Sequence, residues 1–488
     1  MRRTVSICIV CVWLAMVALL VRQNWTAAPS SSPEIDQPDP AGRDEWMNVY
    51  HEGVKIGYTH SRVTADGAGF HFAEDSLLRL VVLETPQTVQ THIRGHVASD
   101  SSLRDVDFDL RSGAGTLRAT GVVEPAGLRL KIMTGADVSE QVLPLNEPLF
   151  LPSLVRTALN RDTLQAGRQF TALVFDPVSL TNERMVISVD GQEPLPGAGS
   201  EAKAWRVREE FRGLKTTAWT DADGLVLREE GPMGMVLVRT SAEQALHADW
   251  TSQVAHDLAA SASVPVTRPI PEPRQRMSLR LRLSGIAPER VPSDELQRRT
   301  GDILTITRPA LADVRSYPLP CGDGTLADDL KPTPFLQSDH PRLQQLAHEI
   351  LGDERDAKRA AVLLNDWVYD HLRKVPTVSI PNALQVLDMG QGDCNEHAVL
   401  LAALGRAVGL PTRLITGAVY INDAFFYHAW CEVWLDRWVP IDPALHQVPA
   451  DATHVKFIVG GLEDQLGMID LIGHLGVEVL DAPATNND

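Results

Sequence analysis

The chain has 488 residues, 44% of them hydrophobic and 22% charged, and its 63 acidic side chains outnumber 45 basic ones for a net charge of −18. This excludes wholesale disorder, a collagen-like chain and a polytopic membrane protein, and the length suits about three domains. With that acidity and no Lys/Arg run longer than two residues, nothing in the sequence attracts nucleic acid, and no nucleic-acid partner is expected.

At the N-terminus, Arg2 and Arg3 precede an apolar run from Val5 to Val21 broken only by Ser6. Its length is at the short end for a membrane span. Thr26-Ala27-Ala28 resembles a cleavage site, but Arg22 and Pro29 frame it poorly. The expectation is an uncleaved signal anchor over 1–25: a single-pass membrane anchor with the rest of the chain exported, periplasmic or at the cell surface. Residues 26–43, rich in Ser, Pro and Asp, read as a flexible tether.

Residues 44–250 read as a large antiparallel β domain, whether barrel, half-barrel or sandwich. Trp46–Tyr50 and Val54–His60 make a hairpin, and Asp223-Gly224 marks another between Lys215–Thr220 and Leu225–Arg228. Leu78–Leu83, Leu117–Glu124, Leu128–Thr134 and Met185–Val189 add short strands, and Pro152–Leu159 is the one helix signal. His51, His60, His71, His92 and His96 are scattered through this domain and read as packing or surface residues.

Residues 251–275, with Pro265, Pro269, Pro271 and Pro273, read as a proline-rich linker. Residues 276–335 form a β-containing connector, in which Arg276–Leu283 alternates as a half-buried strand. From 336 to 475 the pattern is α+β, beginning with helices over Pro341–Leu351 and Asp356–Leu372. Residues 476–488 are assigned to a C-terminal tail. No internal repeat is visible.

The chemistry concentrates between Gly390 and Pro443. Asp393 and Glu396 have capping-box spacing, so Asp393 is read as the N-cap and Cys394 as the first residue of a helix that ends at Gly409 and Pro411. A helix N-terminus offers unpaired N–H groups and partial positive charge, which favour the thiolate, the reactive form of cysteine. Strands follow over Arg413–Tyr420, Phe425–Leu435 and Trp438–Asp442. His428 lies on the face of the second strand shared by Trp430 and Glu432, and Cys431 on the other. A thiol nucleophile needs a base, and the base an orienting acceptor; Cys394, His428 and Asp442 supply the three. Placing Asp442 on the face of His428 requires it to oppose Trp430, with Trp434 opposite Trp438 and a three-residue connection at Leu435-Asp436-Arg437.

Three motifs resemble the bacterial transglutaminase-like superfamily over about 340–460. They are Gly392-Asp393-Cys394-Asn395-Glu396-His397-Ala398 with Ala403-Leu404-Gly405-Arg406-Ala407-Val408-Gly409-Leu410-Pro411-Thr412-Arg413, then His428-Ala429-Trp430-Cys431-Glu432-Val433-Trp434, then Trp438-Val439-Pro440-Ile441-Asp442-Pro443. The resemblance implies a papain-like core with Cys394 as nucleophile, His428 as base and Asp442 as its orienter. The backbone N–H of Cys394 is the natural oxyanion donor. Gln391 is a second candidate donor and Trp430 a candidate wall of the cleft.

The fold class expected is therefore α+β: an N-terminal membrane helix, a large antiparallel β domain and a C-terminal transglutaminase-like domain. The function expected is a thiol enzyme that attacks an amide or peptide bond of a protein or peptide substrate through a thioester, with no cofactor. The alternative is a catalytically silent, membrane-tethered binding or scaffold module. No metal site is expected, because His428, Cys431 and His446 do not share a face. No structural disulfide is expected either: Cys8 and Cys11 lie in the apolar run, and Cys394 must react. The oligomeric state is left open.

Overall fold

The computed structural model describes residues 42–481, except 68, 114, 135–136, 156–163, 199–201, 248–249, 251–254, 462–463, 466–467 and 469–470. The expected membrane anchor and most of the tether lie outside the described residues. Among those described, no helix is long and apolar enough to cross a membrane. The chain divides between Asp257 and Leu258 into two compact units.

The first unit carries one continuous sheet, of 15 strands among the described residues. Asp137–Leu143 forms one edge, and consecutive hairpins lead from it back to Arg43–His51. That strand pairs with Met235–Thr240, from which the order again runs backwards to Gln169–Asp176 and the edge strand Leu149–Phe150. Every pairing is antiparallel except this last one. The connectivity is thus two meanders joined through their first and last strands, not a sandwich of two sheets.

Local sequence explains the turns and faces. Glu52 and Gly53 both take positive φ in the first hairpin, the backbone that a tight two-residue β-turn needs. Along Gly69–Val82, Phe70, Phe72, Leu78, Leu80 and Val82 are buried at alternating positions. The histidines mostly pair with neighbours on the sheet: His60 lies 2.7 Å from Asp44 and His96 2.9 Å from Asp105. The expected helix at Pro152–Leu159 is seen as Pro152–Val155, with 156–163 outside the described residues.

In the second unit, the central sheet is built on Thr412–Ile421 paired with Ala424–Trp434 around an Asn422-Asp423 turn whose two residues have positive φ. Val455–Val459 joins one side, and Trp438–Ile441 and Val264–Pro265 pair with Ala424–Trp434. The helix Cys394–Ala407 packs on this sheet and is flanked by helices Pro341–Leu351, Ala357–His371 and Ala383–Met389. It is buried almost all round over its first twelve residues, as a central helix with a continuous apolar run should be.

Three expectations are corrected here. The proline-rich stretch is not a free linker: Val264 and Pro265 extend the central sheet, Tyr420 Oη accepts the Ile270 amide at 3.0 Å, and Arg274 pairs with Asp451 at 2.7 Å. The connector belongs to the same unit, where Gln297–Thr300, Ile303–Thr307 and Ser278–Ser284 form a second sheet. The fourth strand of that sheet is Gly476–Asp481, so the expected tail begins as structure. Alternation predicted the Ser278–Ser284 strand; its partner lies almost 200 residues away, and local pattern cannot announce such a pairing.

Candidate active site

Cys394 is the first residue of its helix. The Asp393 side chain accepts from the Asn395 amide at 3.0 Å, and Glu396 Oε2 accepts from the Asp393 amide at 2.8 Å, completing a capping box. Ser379 Oγ donates to the other Glu396 oxygen. Gly392 is required here because a Cβ would run into the Glu396 side chain. Burial, with the adjacent Glu396 and Cys394 charges, pushes the Asp393 carboxyl well above the usual carboxylate range.

His428 lies in Ala424–Trp434 opposite Gly417. A Cβ at Gly417 would strike the Val455 carbonyl and the Trp430 ring, so this strand crossing is possible only with glycine. The register beyond the turn pairs Trp434 with Trp438 and Cys431 with Ile441. The Leu435 amide closes the three-residue connection by donating to the Arg437 carbonyl at 3.0 Å. The next pair in that register is Trp430 with Asp442, which puts the carboxylate diagonally beside His428.

The side chains meet accordingly. His428 Nε2 is 2.6 Å from Asp442 Oδ2, and both residues are fully buried. Asp442 Oδ1 accepts the Ala444 and Leu445 amides at 2.7 and 2.9 Å, in the turn that starts at Pro443. Burial alone would lower the imidazole's pKa, but Asp442 and Cys394, through charge and hydrogen bonding, raise it to about 10. Burial alone would raise Asp442; His428 and His454 hold it far below the usual range instead. Because Nε2 is taken by Asp442, Nδ1 is the ring nitrogen left for Cys394, and it has no hydrogen-bond partner in the structure. Cys394 itself has no solvent exposure.

Trp430 is buried, its ring 6.0 Å from that of His428 at 22° and 5.2 Å from that of His454 at 80°, and its indole N–H has no partner. Gln391 lies on the short strand before Gly392 and its Oε1 accepts from Arg373, leaving only its amide nitrogen for an oxyanion role. Cys431 points to the Ala398 carbonyl at 3.2 Å, and burial pushes its thiol pKa far up. His446 is half exposed, stacked on Tyr369 and 2.8 Å from Asp366. Neither joins His428. Cys321, Cys394 and Cys431 are not in disulfides.

Sequence reasoning missed His454. Its Nε2 is 3.0 Å from Asp442 Oδ2, so His428, Asp442 and His454 form a compact group of metal-binding residue types. The donor atoms are hydrogen-bonded to one another, however, and Asp442 Oδ1 is taken by the Ala444 and Leu445 amides, so an ion would have to displace the His428–Asp442 and His454–Asp442 bonds. Also missed was Lys456, which binds Glu432 at 2.6 Å and also Asp294 and so extends the pair that Arg413, lying over Trp438, makes with Glu432 at 2.9 Å. It ties the second sheet to the central one. This set of residues has no local signature, since it runs from Asp294 to Lys456, while His454 lies close to Asp442 in sequence but follows an irregular turn that no periodic pattern marks.

Residues 344–443 match the family model of the transglutaminase-like superfamily, so the chain carries a transglutaminase-like domain. No curated protein is significantly similar to the chain. Among solved structures, a candidate cysteine protease from Cytophaga hutchinsonii is 18% identical, with 41% of this chain and 83% of that one covered and a TM-score of 0.30. A β-barrel-like protein of a domain family of unknown function from Brucella abortus is 11% identical over 41% of this chain and 99% of its own, with a TM-score of 0.30. A protein of another uncharacterised family from Pseudomonas aeruginosa is 16% identical over 36% and 90%, with a TM-score of 0.21. Likenesses at these scores do not establish a shared fold.

Proposed function

We propose that the protein is a thiol enzyme that attacks an amide or peptide bond through Cys394, His428 and Asp442. The observation that carries this reading is the hydrogen bond of 2.6 Å between His428 Nε2 and Asp442, with Nδ1 left to Cys394 at the start of a capped helix. His428 takes the thiol proton and Sγ attacks the carbonyl carbon. The C–N bond breaks, and the amine leaves with the proton that His428 returns. Water or a second amine, deprotonated by His428, then attacks the thioester and releases the thiol. Hydrolysis, deamidation and amine transfer share these steps and differ in the acceptor. Asp442 fixes the ring so that Nδ1 is the working nitrogen, and the Cys394 amide is the first oxyanion donor.

The substrate class is a protein or peptide. We also propose export and tethering by the apolar segment at 5–21, which cell fractionation with an N-terminal deletion would test. Complete burial of Cys394 favours one second reading, a catalytically silent binding module. The two are separated by incubating the protein with a peptide library, with and without a primary amine, and reading the products by mass spectrometry. Mass changes at amide bonds or Gln side chains that vanish in Cys394→Ala support the enzyme. Identical product spectra for the two proteins would overturn it.

A further inference from the structure

The triad leaves unused a histidine that shares its carboxylate. His454 sits just before the strand Val455–Val459, buried on all sides. Its Nε2 faces Asp442 Oδ2 at 3.0 Å; its Nδ1 faces the Asp451 carbonyl oxygen at 3.1 Å and Asp451 Oδ1 at 3.4 Å. A backbone carbonyl only accepts, so Nδ1 carries a proton. Asp442 already accepts two amides on Oδ1 and His428 on Oδ2, an environment that keeps it ionised and accepting. Nε2 therefore carries a proton as well.

We propose that His454 is a positioning residue: a standing imidazolium that clamps Asp442, cancels part of its charge and so sets the basicity of His428. The proposal rests on the triad reading above. The surrounding charges fit it. Asp451, fully buried, is held by Arg274 at 2.7 Å, Gln447 at 2.9 Å and the Thr453 amide at 2.8 Å. Charges then alternate from Arg274 through Asp451, His454 and Asp442 to His428. The other charged groups that line the small cavity beside His454, Glu432 and Lys456, neutralise each other at 2.6 Å. Trp430 closes the remaining side edge-on. Burial would lower the pKa of His454, yet Asp451 and Asp442 raise it.

The functional reason is that a base must also release its proton. An isolated buried carboxylate would hold the His428 proton too tightly for return to a leaving amine. The His454 ring, 5.8 Å from that of His428, opposes that pull through space and through the shared oxygen.

The test uses the full chain. Alkylation of Cys394 by iodoacetamide, read on its peptide by mass spectrometry, is followed against pH in the wild type, His454→Gln and His428→Ala. The wild type should show two inflections, for the thiol and for the imidazolium, and His428→Ala one in the ordinary thiol range. In His454→Gln the upper inflection should rise by about two pH units, the size expected for loss of a charge at this range at an effective dielectric constant of about 20. An unchanged upper inflection overturns the role of His454 while the triad stands. A single ordinary inflection in the wild type overturns the triad itself. Should the glutamine variant fail to fold, long-range ¹H–¹⁵N spectra of histidine-labelled wild type decide. Two protonated ring nitrogens on His454 at neutral pH support the proposal, and one overturns it.

Discussion

Asp442 accepts four hydrogen bonds in a site without water contact, and the consequences divide among residues unequally. Cys394→Ala removes the proposed nucleophile and should abolish turnover. His428→Ala should be nearly as damaging. Asp442→Ala leaves nucleophile and base but frees the ring to turn, so a residue of activity should survive a loss of about 10⁴-fold. Single-turnover release of an amine from a peptide amide measures all three. Equal losses at Asp442 and Cys394 would argue against an orienting role for the carboxylate.

The same contacts make stability depend on pH. The His428 pKa is raised from 6.5 to about 10. Its contribution is thus complete below about 6.5, declines as the pH rises and is gone above about 10. Asp442 is depressed from 3.8, so its contribution is complete above that value and is lost as the pH falls below it. The pair should therefore favour the second unit most between about pH 4 and 6.5. Thermal melts from pH 4 to 10 should show a decline on the alkaline side that Asp442→Asn flattens. A decline of the same slope in that variant would remove the pair as its cause.

At the scale of elements, two short features hold the geometry. One is the connection Leu435-Asp436-Arg437. Deleting Asp436 moves Asp442 by one position in the pairing and turns its side chain to the other face of the sheet. The deletion should abolish Cys394-dependent turnover while the far-ultraviolet circular dichroism stays close to wild type. Retained turnover would mean that Asp442 is not set by this register. The other is the capping box. Asp393→Ala should cost about 1 kcal/mol of stability, measured by urea unfolding, because the Asn395 amide loses its acceptor. These elements were legible in the sequence because their signals are local: capping spacing, a turn pair with positive φ, and an alternating face. The helix Ala383–Met389 and the strand Val455–Val459 were not, since one is a short apolar stretch after a proline and the other follows an irregular turn.

For the whole molecule, the division at 257/258 carries its own test. Residues 258–488 produced alone should melt cooperatively and label at Cys394 at the rate of the full chain. Limited proteolysis should cut before Leu258 and spare 264–276, where Ile270 and Arg274 are tied to the rest of the second unit. Early cleavage within 264–276 would show that those ties do not hold in solution. Sequence alone determined the residue types of the site, the helix start at Cys394 and the face of His428, because capping and strand alternation act over a few neighbouring positions. Tertiary structure alone decided the strand pairing of 476–481 with 278–284, the inclusion of the proline-rich stretch in the second unit, and the presence of His454 on Asp442. Those contacts join segments up to about 200 residues apart, and long-range pairing is set by the packing of whole faces rather than by any local pattern.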